Sequence, residues 1–322
     1  MNTTLQFDSL EHAVLPARPL HLAIGMFDGV HLGHRAVIES ALQSARSSGG
    51  LAGVLTFWPH PSVLFRPDQP ARLILGHAMK LRVLGALGLD FIIEQKFTAE
   101  FSRTTAPEFV QHLRRCLPHL AAVYVGENWR FGRGREGDVT MLVAEARRIG
   151  LSVFSAPRIN HDGAPISSSR IRELLARGPI EEVNALLGYP YRAEGVVQHG
   201  RELGRTLGFP TLNLPWEPDL KPRYGVYAVT VGAAGAGQIR GVANYGLRPT
   251  VAQTQRPLLE VHLLDDSPLT YGDEISVQWL HFLRPESKFS GLEELRAQIE
   301  KDRQSALNFF AKSAAPGKPN NA

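Results

Sequence analysis

The chain has 322 residues, 43% of them hydrophobic and 20% charged, with a net charge of +4 and a pI near 9.3. That length suffices for two domains with separate cores, and the mildly basic balance suits polyphosphate ligands as well as an ordinary solvated surface. No arginine-rich run or regular aromatic spacing on a basic face points to nucleic acid, and Cys116, the only cysteine, excludes an internal disulfide and a cysteine-built zinc cluster.

Residues 1–19 carry Asp8 and Glu11 without a continuous apolar core, so they do not read as a signal peptide. No apolar run approaches the ~20 residues that a membrane helix needs. The chain reads as soluble and cytoplasmic, without a membrane partner, with a weak homo-oligomer left open and the oligomeric state not given by the sequence.

Leu20-His21-Leu22-Ala23-Ile24 is short, apolar and closed by a glycine, as a buried parallel strand should be. From Leu32 to Ser48 the spacing predicts a helix with Leu32, Ala36, Val37, Ala41, Leu42 and Ala45 on one face. Between them lies Gly25-Met26-Phe27-Asp28-Gly29-Val30-His31-Leu32-Gly33-His34, a strand-to-helix turn of the kind that binds ligands in open α/β sheets. His31 and His34 share a face in the first helical turn, where unpaired N–H groups and the helix dipole attract anions. Gly29 and Gly33 leave room for a phosphate near the backbone. Asp28 with Gly29 reads as a turn-forming Asp-Gly pair, or as a carboxylate that supports the site from behind. The lysine-bearing phosphate loop and the spaced-glycine dinucleotide fingerprint are both absent.

Further strands read at Leu51–Phe57, Asp90–Ile93, Ala121–Val125 and Leu151–Phe154, alternating with helical patterns that include Asp138–Ile149. This alternation to about Leu187, closed by helices over Ser168–Ala176 and Pro179–Leu187, predicts a doubly wound parallel sheet. Cys116 falls in one of the helical stretches and reads as packing. Three segments follow strand ends or open a helix: Thr56-Phe57-Trp58-Pro59-His60-Pro61, Gly126-Glu127-Asn128-Trp129-Arg130-Phe131-Gly132 and Ile166-Ser167-Ser168-Ser169-Arg170-Ile171-Arg172. The first is a stiff proline turn. The second is either a flap over a flat ring or a loop packed on itself. The third carries serine caps.

Beyond Gly188 the texture changes to alternating runs over 191–197, 224–231, 238–242, 258–264 and 274–282, with a hairpin loop at Gly232–Gly237, which predicts a small antiparallel β-barrel. A last amphipathic helix runs from Gly291 to about Phe310, with Leu292, Leu295, Ile299, Leu307 and Phe310 inward. Residues 312–322 read as a disordered tail. The domain bounds are therefore 1–187 and 188–311. The glycine-rich stretch Gly200-Arg201-Glu202-Leu203-Gly204-Arg205-Thr206-Leu207-Gly208-Phe209-Pro210-Thr211-Leu212-Asn213 could cover a phosphate or be a flexible barrel loop. In Leu259-Glu260-Val261-His262-Leu263 the period of 2 sets Glu260 and His262 on the face opposite the apolar residues.

These motifs, in order, resemble the prokaryotic bifunctional riboflavin kinase/FAD synthetase family. The first resembles G-x-F-D-G-V-H-x-G-H, a branch of the H-x-G-H nucleotidyltransferases. The others resemble T-F-x-P-H-P, G-E-x-F-x-F-G, I-S-S-T-R-I-R, G-R-x-L-G-F-P-T-x-N, N-x-G-x-R-P-T (Asn244–Thr250) and E-x-H/F-L-L-D. Trp58, Trp129 and Ser169 are departures from the pattern, and Trp58 stands where glutamate is frequent. The resemblance implies a nucleotidyltransferase domain of Rossmann-like fold followed by a riboflavin kinase barrel. Riboflavin, FMN, FAD and ATP are then substrates and products, with Mg²⁺ as cofactor. It implies that His31 and His34 meet the ATP phosphates, with Gly25, Phe27, Asp28, Gly33 and Ser168 around the nucleotide and Arg170 on the leaving group. Pro59, His60, Asn128, Trp129 and Phe131 would face flavin, as would Arg284 in a Leu283-Arg284-Pro285 flap. In the barrel, Gly204, Arg205 and Gly208 would cover phosphate, Thr211 and Asn213 would hold Mg²⁺ and nucleotide phosphate, and Glu260 would be the base for the ribityl hydroxyl. One competent module, or a flavin-binding regulator without chemistry, are the alternatives; intact His31, His34 and Glu260 argue against both.

Overall fold

The structure, a computed structural model, describes residues 4–200, 203–233, 236–247 and 256–314. The chain divides into two compact units, Met1–Ser168 and Ser169–Ala322.

The first unit is built on six parallel strands: β1 (Leu5–Phe7), β2 (Leu20–Ile24), β3 (Leu51–Trp58), β4 (Phe91–Lys96), β5 (Leu120–Gly126) and β6 (Ser152–Ala156), in the order β1-β4-β3-β2-β5-β6. From β2 the chain steps outward through β3 to β4, then crosses to the other side of β2 to form β5 and β6. The order therefore reverses beside β2, and the crevice at the carboxyl ends of β2 and β5 is where such sheets bind ligands. All five residues of β2 are buried, as a central strand covered on both faces requires. Helix α1 (Leu32–Ser48) has the bounds its apolar spacing predicts; its buried face is Val37, Ile38, Ala41, Leu42 and Ala45, with Leu32 and Ala36 only half-buried. The remaining helices of this unit are α2 (Ser62–Phe65), α3 (His77–Gly85), α4 (Ala106–Cys116) and α5 (Val139–Arg148). Helix α4 starts with a capping box, the Thr105 side chain and the Glu108 carboxylate each satisfying the other's backbone N–H. A short hairpin pairs β7 (Asn160–His161) with β8 (Ala164–Pro165).

The second unit opens with α6 (Ser168–Arg177, which begins at the unit's edge) and α7 (Ile180–Leu187). The sequence assigns these helices to the first domain, yet they are tied to barrel strands. Arg223 N–H donates to Leu175 O at 2.9 Å, and Asn184 bridges Trp279 O and Tyr191 N–H, both at 2.7 Å. The barrel has six antiparallel strands, β9 (Arg192–Val196), β10 (Thr211–Pro215), β11 (Gly225–Ala233), β12 (Ala236–Leu247), β13 (Pro257–Leu263) and β14 (Glu274–Pro285), in the order β10-β13-β12-β11-β14-β9. The bridge Gln198↔Asn213 joins the two ends of that order, so the sheet nearly closes. Tyr191, Trp216, Tyr227, Tyr245 and Trp279 pack ring against ring on one face of the strands. On the other, Val226, Ala228 and Val242 meet Ala306 and Phe310 of α9 (Leu292–Ala314). A short helix, α8 (Leu203–Thr206), precedes β10.

Two sequence expectations need correction. Leu292 is 56% exposed rather than inward: its spacing sets it on the face of Ala306 and Phe310, but it stands in the first turn of α9, where residues 292–294 are all exposed. Residues 312–314 continue that helix; the rest of the expected tail, 315–322, lies outside the described residues, as do the tip of the Gly232–Gly237 loop and Arg248-Pro249-Thr250.

Candidate active sites

In the turn after β2, Phe27, Gly29 and Val30 all have positive φ, at 50°, 82° and 38°. Such a conformation is rare for a β-branched residue, and strain of this kind persists only where the surroundings enforce it. Asp28 supplies the enforcement. Its buried carboxylate accepts from the backbone N–H groups of Ile74 (3.0 Å) and Leu75 (3.4 Å), and its carbonyl accepts from the Ser168 hydroxyl at 3.0 Å. Gly29 and Gly33 keep their neighbours close. A Cβ on Gly29 would lie 3.0 Å from Ile74, and one on Gly33 would lie 3.2 Å from the His31 ring. The space they open is thus filled by protein side chains.

His31 is the N-cap of α1, its Nδ1 accepting from His34 N–H at 3.3 Å. The two imidazoles stack with centroids 3.6 Å apart, and Phe27 meets His34 edge-on at 5.5 Å. Burial, with His31 as a secondary cause, holds the His34 pKa well below 6.5, so its ring is neutral. Its buried Nδ1 has no hydrogen-bond partner in the protein, which is rare for a native polar atom.

A charged network that the sequence reading missed props the same turn. Buried Lys80 donates to Thr56 Oγ1 at 3.2 Å and to Phe57 O at 3.4 Å, and pairs with Glu94 at 3.2 Å. Thr56 in turn donates to Met26 O at 3.2 Å. Glu94 also meets His77 at 2.5 Å, and the His77 ring stacks on Trp58 at 4.4 Å. Trp58 thus has an aromatic packing role. The signal was present in the sequence: Lys80 shares its helical stripe with Val83 and Leu84, and Glu94 ends an apolar strand run.

Beside the turn opens a cavity of about 830 Å³ lined by aromatic side chains, including Phe57, Phe97, Trp129 and Phe131, with Arg66, Arg130 and Arg135 at its wall. Trp129 stacks on Phe131 at 4.6 Å, presenting a flat apolar surface. Asn128, His60 and Met26 also line it. Pro59 does not; it sits in a cis Trp58–Pro59 bond, and Pro61 reaches the cavity instead. His31 and His34 are not among the residues that line it.

In the barrel, register assembles the site. Asn213 on β10 pairs with Glu260 on β13, which pairs with Asn244 on β12; Asn244 pairs with Val226 on β11, and Val226 with Arg284 on β14. Directly paired residues share a face, so this row crosses five strands on the side away from the aromatic core. The adjacent row begins Thr211–His262–Val242. A cavity of about 230 Å³ lies over both rows, lined by Gly204, Thr211, Asn244, Glu260, His262 and Arg284 among others. Asn213 is 5% exposed, and Gly200 is required above it: a Cβ there would lie 2.4 Å from the Asn213 amide. Arg284 forms a two-pronged pair with Asp302 of α9 at 2.7 and 2.8 Å, and Gln298 donates to the same carboxylate at 2.9 Å. Asp302, which the sequence reading passed over, thereby sets how Arg284 faces the cavity. Gly208 has a φ of 89°. The Arg205 side chain lies outside the described set, and Arg170 and Ser169 stand in the first turn of α6.

Among the described residues no helix is long and apolar enough to cross a membrane. The FAD synthetase family model matches residues 16–170 and the riboflavin kinase model residues 187–310. The chain is 41% identical over 292 residues to the bifunctional riboflavin kinase/FMN adenylyltransferase of Escherichia coli K12, covering 90% of this chain and 92% of that protein. To its namesake from Bacillus subtilis it is 36% identical over 295 residues, with 90% and 92% covered. A crystal structure of a macrolide-efflux protein from Streptococcus pneumoniae superposes with a TM-score of 0.85 at 27% identity, covering 95% of this chain and 99% of that one. With both halves matched in order and near-complete coverage of curated relatives, the chain belongs to the bifunctional riboflavin kinase/FMN adenylyltransferase family.

Proposed function

We propose a division of labour in which the parallel-sheet module adenylylates FMN and the barrel module phosphorylates riboflavin, through the residues described above. The family carries both activities: riboflavin and ATP give FMN and ADP, and FMN and ATP give FAD and pyrophosphate. We take the first module to run to Leu187, because the Ser168–Arg172 motif opens α6, and we assign the enzyme to the cytoplasm, where ATP is at hand.

In adenylyl transfer the nucleophile is the FMN phosphate, already ionised at neutral pH. The site needs alignment and charge neutralisation rather than a strong base. Neutral His34 offers Nδ1–H to an ATP phosphate oxygen, which gives its unpartnered buried nitrogen a partner. His31 and the first N–H groups of α1, at Gly33, stand beside it. Gly25 and Phe27 border the nucleotide, Asp28 and Ser168 hold the turn in shape, and Arg170 neutralises the departing pyrophosphate. The flavin ring lies against Trp129 and Phe131, with Asn128 and His60 at its edge.

In the kinase step the nucleophile is a weakly acidic hydroxyl, so Glu260 takes its proton. Thr211, Asn213 and Glu260 offer only oxygen donors on one face of adjacent strands, a set that fits a hard cation such as Mg²⁺. Thr211 and Asn213 would hold it, and when bound it would draw charge from the ATP phosphates. Gly204, Arg205 and Gly208 cover the phosphates, and Arg284 orients the flavin. The cross-strand pairing of Asn213 with Glu260 is the single observation that carries the reading. The test is chromatography of products from riboflavin, or from FMN, with ATP and Mg²⁺. Glu260→Gln should stop FMN formation while supplied FMN still becomes FAD, and His34→Ala should do the reverse. Equal loss of both steps in either folded variant overturns the assignment.

A further inference from the structure

One cluster of ligating side chains belongs to neither site. On α4, His112 and Cys116 are one turn apart and so project from the same side of the helix. Glu11 reaches them from the segment before β2. That segment is anchored next door: Leu10 is fully buried, its N–H donates to Gln95 Oε1 at 2.9 Å, and its carbonyl accepts from Ala13 N–H at 3.2 Å. His112 Nε2 lies 2.9 Å from Glu11 Oε1 and 3.8 Å from Cys116 Sγ. One donor atom from each of the three residues lies within 4.8 Å of the others.

A tetrahedral zinc ion, bound at about 2.3 Å to sulfur and about 2.0–2.1 Å to nitrogen and oxygen, sets S···N at about 3.6 Å and N···O at about 3.3 Å. The N···O separation is shorter than that and the S···N separation longer, and Sγ stands 3.9 Å from Nδ1 as well as 3.8 Å from Nε2, so the His112 ring must turn to aim Nε2 at an ion shared with the sulfur and the carboxylate. We propose that Glu11, His112 and Cys116 form a binding site for a borderline-soft divalent cation, zinc above all, separate from both active sites. The donor set decides the class of metal: one sulfur, one imidazole nitrogen and one carboxylate oxygen suit zinc and disfavour magnesium and calcium. Glu11 is exposed, which leaves the fourth position to water.

The charges and protons balance. Arg115 stands 2.6 Å from His112 Nδ1, so without metal Nδ1 accepts from the guanidinium and Nε2–H donates to Glu11. On binding, exposed Arg115 turns to solvent and the imidazole proton shifts to Nδ1, freeing the Nε2 lone pair. The Cys116 thiol gives one proton to water as its sulfur joins the metal. Carboxylate and thiolate together then cancel the dication. The bound ion would clip the segment before β2 to α4, the helix whose Phe109 lines the flavin-sized cavity.

The test uses the full chain, stripped with a chelator and titrated with Zn²⁺ alone by calorimetry and with Co²⁺ by absorption. One Zn²⁺ should bind per chain with release of about one proton, and Co²⁺ should show a thiolate charge-transfer band. Cys116→Ser, close to isosteric, should remove the band. His112→Ala should weaken Zn²⁺ binding by more than about tenfold, since loss of even a supporting group costs a zinc site that much. FMN adenylylation by each variant, which runs in the module that carries the cluster, serves as the control for folding. A Co²⁺ spectrum without the thiolate band, or a Zn²⁺ affinity unmoved in both variants, places the metal on others of the 12 histidines and overturns the proposal.

Discussion

The two modules build their sites from opposite parts of their strands. In the parallel sheet the proposed site gathers in turns at the strand ends, where β2 gives way to α1 and β5 gives way to the Asn128–Phe131 loop. In the barrel it lies on the strands themselves, as a row from Asn213 through Glu260 and Asn244 to Arg284. Covering helices close both faces of the parallel sheet and leave only its edge open to a ligand. The barrel packs aromatic rings on one face of its strands, which leaves its cavity on the α9 side. On the proposed assignment the difference also follows the chemistry: an ionised phosphate asks for fixed N–H groups and a neutral imidazole, whereas an alcohol asks for a carboxylate beside oxygen donors.

That contrast breaks most directly at Glu260. Glu260→Gln should slow riboflavin phosphorylation by about 10²–10⁴-fold, the usual worth of a general base, and leave the KM and kcat for FMN adenylylation unchanged. Next in size, Asp302→Ala leaves Arg284 charged in a half-buried site, so the barrel should lose about 3–5 kcal/mol, read by urea unfolding, with a raised KM for riboflavin. The corresponding cut in the first module is Lys80→Met. It strands Glu94 without its lysine and frees Thr56, and should lower FMN adenylylation together with about 3 kcal/mol of stability while riboflavin phosphorylation persists. Loss of both activities together would mean that Lys80 supports the whole chain rather than one turn.

The smallest effect is in pH. The folded pKa of His34 is depressed well below 6.5 by burial, so below about 6.5 the unfolded chain takes up a proton that the fold resists. The stability this provides is complete above that value and is lost as pH falls through the folded pKa. Urea midpoints of the wild type should therefore decline on the acid side of pH 6.5 more steeply than those of His34→Phe, and parallel curves would contradict the assignment.

Much of this was legible in advance. The bounds of α1 follow from apolar spacing, and the strand–turn–helix run from Leu20 to Ser48 follows from local pattern and glycine. The alternation of Glu260 and His262 against Leu259 and Val261 follows from the period of a strand. What could not be read there depends on partners distant in the chain. β10 is hidden in a glycine-rich motif and becomes a strand only by pairing with β13. Leu292 has the inward spacing yet stays exposed in the first turn of α9, whereas Asp302 further along the same side is buried against Arg284. Gly29 and Gly33 read as room for phosphate, yet Ile74 and the His31 ring occupy that room. By itself the sequence determined the elements, their order and the residue types that each chemistry needs, because these depend on periodicity and on neighbours a few positions apart. Only the tertiary structure decided which of those residues touch, since register across strands and the burial of Lys80, His34 and Asp302 come from contacts between segments that meet nowhere in the linear chain.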